Sequence, residues 1–468
     1  MSSPPFVSTS PAAALSRFFV STEGQRYTVT FFLVSSLFLL WGFCNGMIDV
    51  MDKHFQDELH LTKAQSAWVQ TAHYLGYALM ALPAALLARA VGYKASIIAG
   101  LMLVSIGGFW FIAATHIAAF WSFLLGVCII AMGLTVLETV ANPYATVLGP
   151  NRYAAFRINL AQTFNGVGWM LGPIVGGLFF YADGGVEVAH AQLYIPYVAV
   201  ALIVLAMASI FYVAYVPDLK TPDVYRLDEA APGLRHSIWS HPHFVGAVIA
   251  QCLYVAAQAG IFSFFINYMI SEMPPITKAE LGGWLSANGW AVHKGTGWGI
   301  GEQGAARLQG LGGFGLFTLG RLMGSAILGK AAPHRALGTY AVINTVLCAF
   351  IVMKLGWLSV AAVFGTFFFM SISFPTIFAL GIYGLGLQAK KASAFIVMAI
   401  LGGALLPKLM GHVGDVADMS IAFSVPGVCF AVIAAYGFSW PRLSRVSGQA
   451  SGTESPLSLA REGAAGER

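Results

Sequence analysis

Apolar residues in this chain gather into long runs that are hydrophobic on every side, without the alternating or 3.6-residue spacing of half-buried elements. Twelve runs read as helices, over 28–51, 65–88, 95–114, 119–146, 156–181, 193–216, 242–271, 305–330, 335–355, 357–385, 390–412 and 420–441, with polar residues concentrated between them. A helix rising about 1.5 Å per residue needs about 20 residues to cross a hydrocarbon core about 30 Å thick. The pattern therefore predicts an all-α membrane protein with twelve transmembrane helices. A closed transmembrane barrel also satisfies every backbone group in lipid, but it needs short segments of alternating polarity, which stretches such as 31–40 and 97–106 exclude.

The runs fall into two groups of six, 28–216 and 242–441, joined by the polar stretch 217–241. ANPYATVLG with Pro143 resembles SFPTIFALG with Pro375, and GVGWMLGPIVGG with Pro173 resembles LGGALLPKLMGH with Pro407. Both prolines recur at nearly the same spacing, so helices four and five have counterparts in ten and eleven. Repeated halves imply a substrate site near the bilayer midplane and alternating access by rocking. The halves differ at 272–304, which reads as a long external loop carrying Trp284, Trp290, His293 and Trp298. The tails 1–27 and 442–468 read as disordered. Cations such as Arg89, Lys94, Arg152, Arg157, Lys220, Arg226, Lys390 and Lys391 accumulate in alternate connections. That bias places both termini in the cytoplasm of a multi-pass protein, here of a bacterial inner membrane.

Composition agrees with lipid as the main solvent: 57% of residues are hydrophobic and 10% charged, against about 25% charged in soluble domains. The net charge of +5 comes without a basic cluster beside an aromatic platform, so a nucleic-acid partner is not expected. Cys44, Cys128, Cys252, Cys348 and Cys429 all sit in apolar runs at scattered spacing, and neither a disulfide framework nor a metal site is predicted. No Walker phosphate loop is present. The chain is read as a transporter and not an enzyme, without cofactor, and as a monomer in the lipid bilayer.

Ionisable groups deep in spanning helices cost about 2.5–3.5 kcal/mol each on insertion scales, so those that persist mark candidate chemistry. Asp49 and Glu138 are the leading pair. Trp41, Asn45 and Asp49 are spaced four apart along helix one, and Glu138 and Asn142 likewise along helix four, just before Pro143. Two polar stripes of this kind are expected to face a common cavity, where Asp49 and Glu138 would couple transport to a proton. A solvated interfacial Asp49 and a structural Glu138 are the alternatives. Helix five supplies Asn159, Gln162, Thr163 and Asn165; helix seven supplies Gln251, Tyr254 and Gln258. Amides and aromatic rings suit a sugar, whose hydroxyls both donate and accept while its C–H faces stack on rings. Hydrogen bonding between helices explains any single amide equally well.

Five blocks carry a resemblance: WGFCNGMIDVMDKHFQ (41–56), LETVANPYATVLGP (137–150), FRINLAQTFN (156–165), FPTIFALGIYGLG (374–386) and SAFIVMAILGGALLPKLMG (393–411). With them the chain resembles the major facilitator superfamily and, within it, the fucose:proton symporter family. The resemblance implies the major facilitator fold and proton-coupled uptake of L-fucose or a related hexose, with Asp49 and Glu138 matching the family's two essential intramembrane carboxylates. It also implies an amphipathic cavity in which Asn45, Gln162 and Asn165 match polar positions; Trp41, Asn142, Tyr254, Gln258 and Phe374 complete the expected sugar-binding set. Two positions depart from the fucose permeases: Gly46 stands where they have a second asparagine, and Phe374 where they have a tyrosine. The run Gly168-x-x-x-Gly172-Pro173-x-x-Gly176-Gly177 also resembles the motif of drug:proton antiporters, which leaves export of a drug or metabolite as the competing function.

Overall fold

A computed structural model of the chain describes residues 19–20, 25–150, 154–180, 194–217, 237–294, 297–328, 331–385 and 389–451. Of the expected tails and linker, 1–18, 21–24, 218–236 and 452–468 lie outside these residues, as do Asn159's side chain and Arg152. The twelve expected helices are found in chain order as α1 Thr28–Glu58, α2 Lys63–Ala88, α3 Ala90–Ile117, α4 Phe120–Ala145, α5 Leu160–Phe180, α6 Ile195–Val213, α7 Pro242–Ser263, α8 302–328, α9 Pro333–Val352, α10 Trp357–Ile382, α11 Phe395–Val416 and α12 Met419–Ser444. Eleven of them are long and apolar enough to cross a membrane. The exception is α8, which is assembled from Glu302–Arg307, a π-helical stretch Leu308–Phe314 and Gly315–Leu328. The sequence LQGLGGF explains the interruption: glycine has low helix propensity, and Gly312 and Gly313 leave room for the rings of Phe364 and Phe367.

Large apolar side chains lie on the outside of the spanning helices, as a lipid solvent requires: Leu82 is 55% exposed, Ile106 53%, Leu405 67% and Val428 66%. Between α2 and α3 the turn is made at Gly92, whose φ of 80° suits glycine alone. Prolines interrupt α2 (Pro83), α4 (Pro143), α5 (Pro173) and α11 (Pro407). Two elements run beyond their expected bounds. The final helix continues through Pro441 to Ser451. Ahead of α1, Phe19 is buried with its ring 4.7 Å from that of Phe31, and its carbonyl accepts a hydrogen bond from the Tyr27 amide.

The described residues pack into two compact units. The first takes those within Met1–Met47, Gly76–Phe180 and Gly185–Val224; the second takes those within Ile48–Leu75 and Tyr225–Arg468. In the first unit α1 and α5 meet backbone to backbone. A Cβ at Gly168 would lie 2.2 Å from the Leu39 carbonyl oxygen, and one at Gly172 2.6 Å from that of Phe43. The small-residue run thus serves close helix packing. Arg157 is fully buried and donates to the carbonyls of Ala145 (3.1 Å), Gly149 (3.2 Å) and Pro150 (3.1 Å), where the unpaired C-terminal carbonyls of α4 favour a cation.

In the second unit, residues 63–75 are tied to α11. The backbone amides of Lys63 and Ala64 donate to the Asp415 carboxylate at 2.9 and 2.8 Å, and the Thr71 hydroxyl donates to the Ala404 carbonyl at 2.6 Å. These bonds explain why the beginning of α2 groups with the C-terminal part of the chain. The 272–304 segment is not a structureless loop. It holds a short helix Ala279–Ala287 and an antiparallel pair, β1 Ala291–Lys294 and β2 Gly297–Ile300, in which His293 faces Trp298.

Candidate functional site

Asp49 belongs to the second unit and is 3% exposed. Each of its carboxylate oxygens has its own amide donor: Gln70 Nε2 lies 3.1 Å from Oδ1, and Gln309 Nε2 lies 3.2 Å from Oδ2. Gln309 comes from the π-helical stretch of α8 and also donates to the Phe262 carbonyl at 2.8 Å. Hydrogen bonds to a charged group are worth about 1.5–3 kcal/mol each, so two of them offset much of the cost of a carboxylate in this position. One turn further along α1 stands Asp52, with no exposed surface and, among the described residues, no hydrogen bond of good geometry to either oxygen. Beyond it, Gln56 donates to the Ser66 hydroxyl at 2.7 Å and accepts from Asn267 at 2.6 Å.

Glu138 belongs to the first unit, where it is half-buried, and its carboxylate accepts no hydrogen bond from the described residues. Its backbone carbonyl accepts from Asn142 Nδ2 at 3.1 Å, and Asn142 Oδ1 in turn accepts from Gln162 Nε2 at 3.2 Å. Three of the residues expected at the site are therefore joined between α4 and α5. Trp41 donates its indole N–H to the Tyr77 hydroxyl at 2.6 Å. Asn165 spends its amide on the Phe38 carbonyl at 3.2 Å, a bond from α5 to α1. Asn45 is buried with its side-chain oxygen unpaired. Gly46 is closed against α5: a Cβ there would lie 2.8 Å from the Trp169 carbonyl oxygen and 3.0 Å from Pro173 Cδ.

The remaining candidates belong to the second unit. Tyr254 is fully buried with its ring edge-on to Phe374, centroids 6.3 Å apart, while Gln258 is half-buried. Arg321 lies with its guanidinium 4.9 Å from the centre of the Phe317 ring. Asp52, Gln70 and Gln309 are absent from the set read from the sequence. Asp52 carried a signal, because a second acid three residues after Asp49 lies on the same helix face. Single glutamines in apolar helices carry none.

Twelve helices with lipid-facing apolar surfaces and buried carboxylates define a polytopic membrane protein of the transporter class. The residues 28–383 match the model of the Major Facilitator Superfamily. The chain is 34% identical over 431 residues to the L-fucose-proton symporter of Escherichia coli K12, covering 88% of this chain and 93% of that one. It is 30% identical over 421 residues to the glucose/galactose transporter of Brucella abortus, covering 89% and 95%. Among solved structures it superposes on the Escherichia coli fucose:proton symporter in the outward conformation with a TM-score of 0.61 at 33% identity, over 88% of this chain and 99% of that one. A bacterial homologue of the human lysosomal transporter Spinster superposes with a TM-score of 0.66 at 15% identity, over 90% and 98%, and so shares the fold alone. The chain belongs to the Major Facilitator Superfamily, whose members among these relatives are transporters and not enzymes.

Proposed function

We propose that this protein moves a monosaccharide, L-fucose or a related hexose, together with a proton by alternating access. The observation that carries this reading is Asp49, a buried acid on a spanning helix with one amide donor on each oxygen. The two amides support its charged form, and as an acid it can take up and release a proton. Uphill transport needs sugar to bind the protonated carrier better than the charged one, because a ligand that does not distinguish two states shifts neither. Glu138 accepts no hydrogen bond on its carboxylate from the described residues, and acts as the acceptor for a sugar hydroxyl beside Asn142 and Gln162. Trp41, Asn45 and Asn165 in the first unit, and Tyr254, Gln258 and Phe374 in the second, are the further sugar-binding residues that the family resemblance implies.

The reading is supported by relatives named for L-fucose and for glucose/galactose transport. Gly46 and Phe374 move the preference away from L-fucose alone, since losing a hydrogen-bonding partner changes which hydroxyl pattern is tolerated. The antiport motif needs no export function, because its Gly168 and Gly172 are occupied with the α1–α5 contact. The halves 28–216 and 242–441, joined by the linker 217–241, rock in a monomer of a bacterial inner membrane with both termini cytoplasmic. A membrane potential of about 150 mV then sustains a sugar gradient of about 300-fold with one proton. The test is counterflow of L-fucose, galactose, glucose and mannose into proteoliposomes, followed by sugar-dependent alkalinisation in a cell suspension. Accumulation of none of these sugars would sink the reading, and acidification in place of alkalinisation would reverse its direction.

A further inference from the structure

We propose that Asp52 passes protons to and from Asp49, so that the two acids work as a relay along one face of α1. The proposal rests on the proton-symport reading above. It starts from the surroundings of Asp49, whose two oxygens are held by Gln70 and Gln309. Carboxamide N–H groups donate hydrogen bonds but do not give up protons near neutral pH, so neither partner recharges Asp49. The acid beside it is Asp52, three residues on and on the same helix face, and the charges of the two act on each other.

Asp52 is also an unusual residue to bury for structure alone. It has no exposed surface, and among the described residues neither oxygen accepts a hydrogen bond of good geometry. Ser66, Gln56 and Ser263 are its polar neighbours. Gln56 is engaged with Ser66, and the Ser66 hydroxyl donates to the Lys63 carbonyl at 3.0 Å. A carboxyl so placed is costly to keep for packing alone. The charged groups acting on it are Asp49 and Lys53, both on α1; its neighbours Ser66 and Ser263 on other helices are uncharged. Lys53 is ion-paired with Asp57 and lies 3.7 Å from Glu302, whose side chains are 38% and 35% exposed. Solvent therefore reaches the end of the helix just past Asp52.

In the relay the two carboxyls, which are not hydrogen-bonded to each other in this state, come together by side-chain rotation; the O–H bond of Asp52 then breaks as an O–H bond forms on Asp49. The negative charge moves to Asp52, which then takes a proton from water at the end of α1. Running the same steps backwards discharges Asp49.

The experiment compares wild type, Asp52→Asn and Asp52→Glu, as full-length protein in proteoliposomes with a sugar that wild type exchanges. Counterflow at equal pH needs only the loaded carrier, whereas uptake driven by a pH gradient needs Asp49 to gain and lose its proton each cycle. Asp52→Asn is expected to slow driven uptake at least tenfold and counterflow less than twofold, and Asp52→Glu to recover driven uptake to within threefold of wild type. Driven uptake at the wild-type rate in Asp52→Asn overturns the relay, as does equal loss of both activities with no recovery in Asp52→Glu. If Asp52→Asn does not assemble, the pH profile of driven uptake in Asp52→Glu decides: a shift away from wild type, with the counterflow profile unmoved, supports the relay, and identical profiles overturn it. Absence of sugar-linked proton movement in wild type defeats the symport reading itself, and is seen before any variant is made.

Discussion

Asp49 and Glu138 are both acids on membrane-spanning helices, but the chain provides for them in opposite ways. Asp49 is almost wholly buried and each oxygen is held by a glutamine amide; Glu138 is half-buried and its carboxylate is held by none of the described residues. An acid with fixed donors suits a group that changes charge in place. An acid without them is free to bond something else, and the Asn142–Gln162 pair beside it offers the amide groups that a polyol needs.

The largest separation between the two acids is expected from neutral replacements. Asp49→Asn imitates the protonated state permanently, so uptake driven by a pH gradient is expected to fall at least 100-fold while counterflow persists. Initial rates in proteoliposomes measure both, and loss of counterflow in step with driven uptake would give Asp49 the sugar-binding role proposed for Glu138. Glu138→Gln is expected to weaken sugar binding about 10- to 100-fold, the worth of one hydrogen bond to a charged group. Concentration dependence of counterflow reads it, and an unchanged half-saturation removes Glu138 from the sugar. Gln309→Leu takes one donor from Asp49 and leaves Glu138 untouched. Driven uptake is then expected to slow about tenfold, with sugar half-saturation within about twofold of wild type.

The smallest effect is expected at Asp418, an acid outside the spanning segments that serves as the ordinary case. Partial burial pushes its carboxyl up, but Lys354 at 2.7 Å and the Ile421 amide at 2.9 Å outweigh this and hold it below the usual aspartate range. A depressed acid adds stability above its unfolded value near pH 4 and loses it as pH falls through the folded value. Asp418→Ala is expected to cost about 1 kcal/mol at neutral pH through the lost helix cap. Thermal melts in detergent should show the gap to wild type closing below about pH 4.

The spanning helices were legible because lipid demands unbroken apolar runs, and only α8 concealed its form, since a π-helical turn has no hydrophobic period of its own. The same turn hid Gln309. Asp49 and Glu138 stood out because charge is rare in such runs, whereas Gln70 looked like any polar residue that bonds between helices. Asp52 lies one residue past the expected end of helix one. Its burial depends on Ser66 and Ser263, hundreds of residues apart in part, and no local pattern records that. The grouping of 48–75 with the C-terminal unit was likewise set by distant partners, Asp415 and Ala404. Phe19 was assigned to a disordered tail because a single aromatic among serines and prolines does not announce a binding place on α1.

The tight seat of Gly46 limits how this carrier's taste for sugars can be redesigned. Placing the fucose permeases' asparagine at that position is not a one-letter edit, because Trp169 and Pro173 of α5 already fill the space its first carbon would need. An engineer, or a lineage drifting toward another hexose, has to reshape α5 first and visit position 46 second.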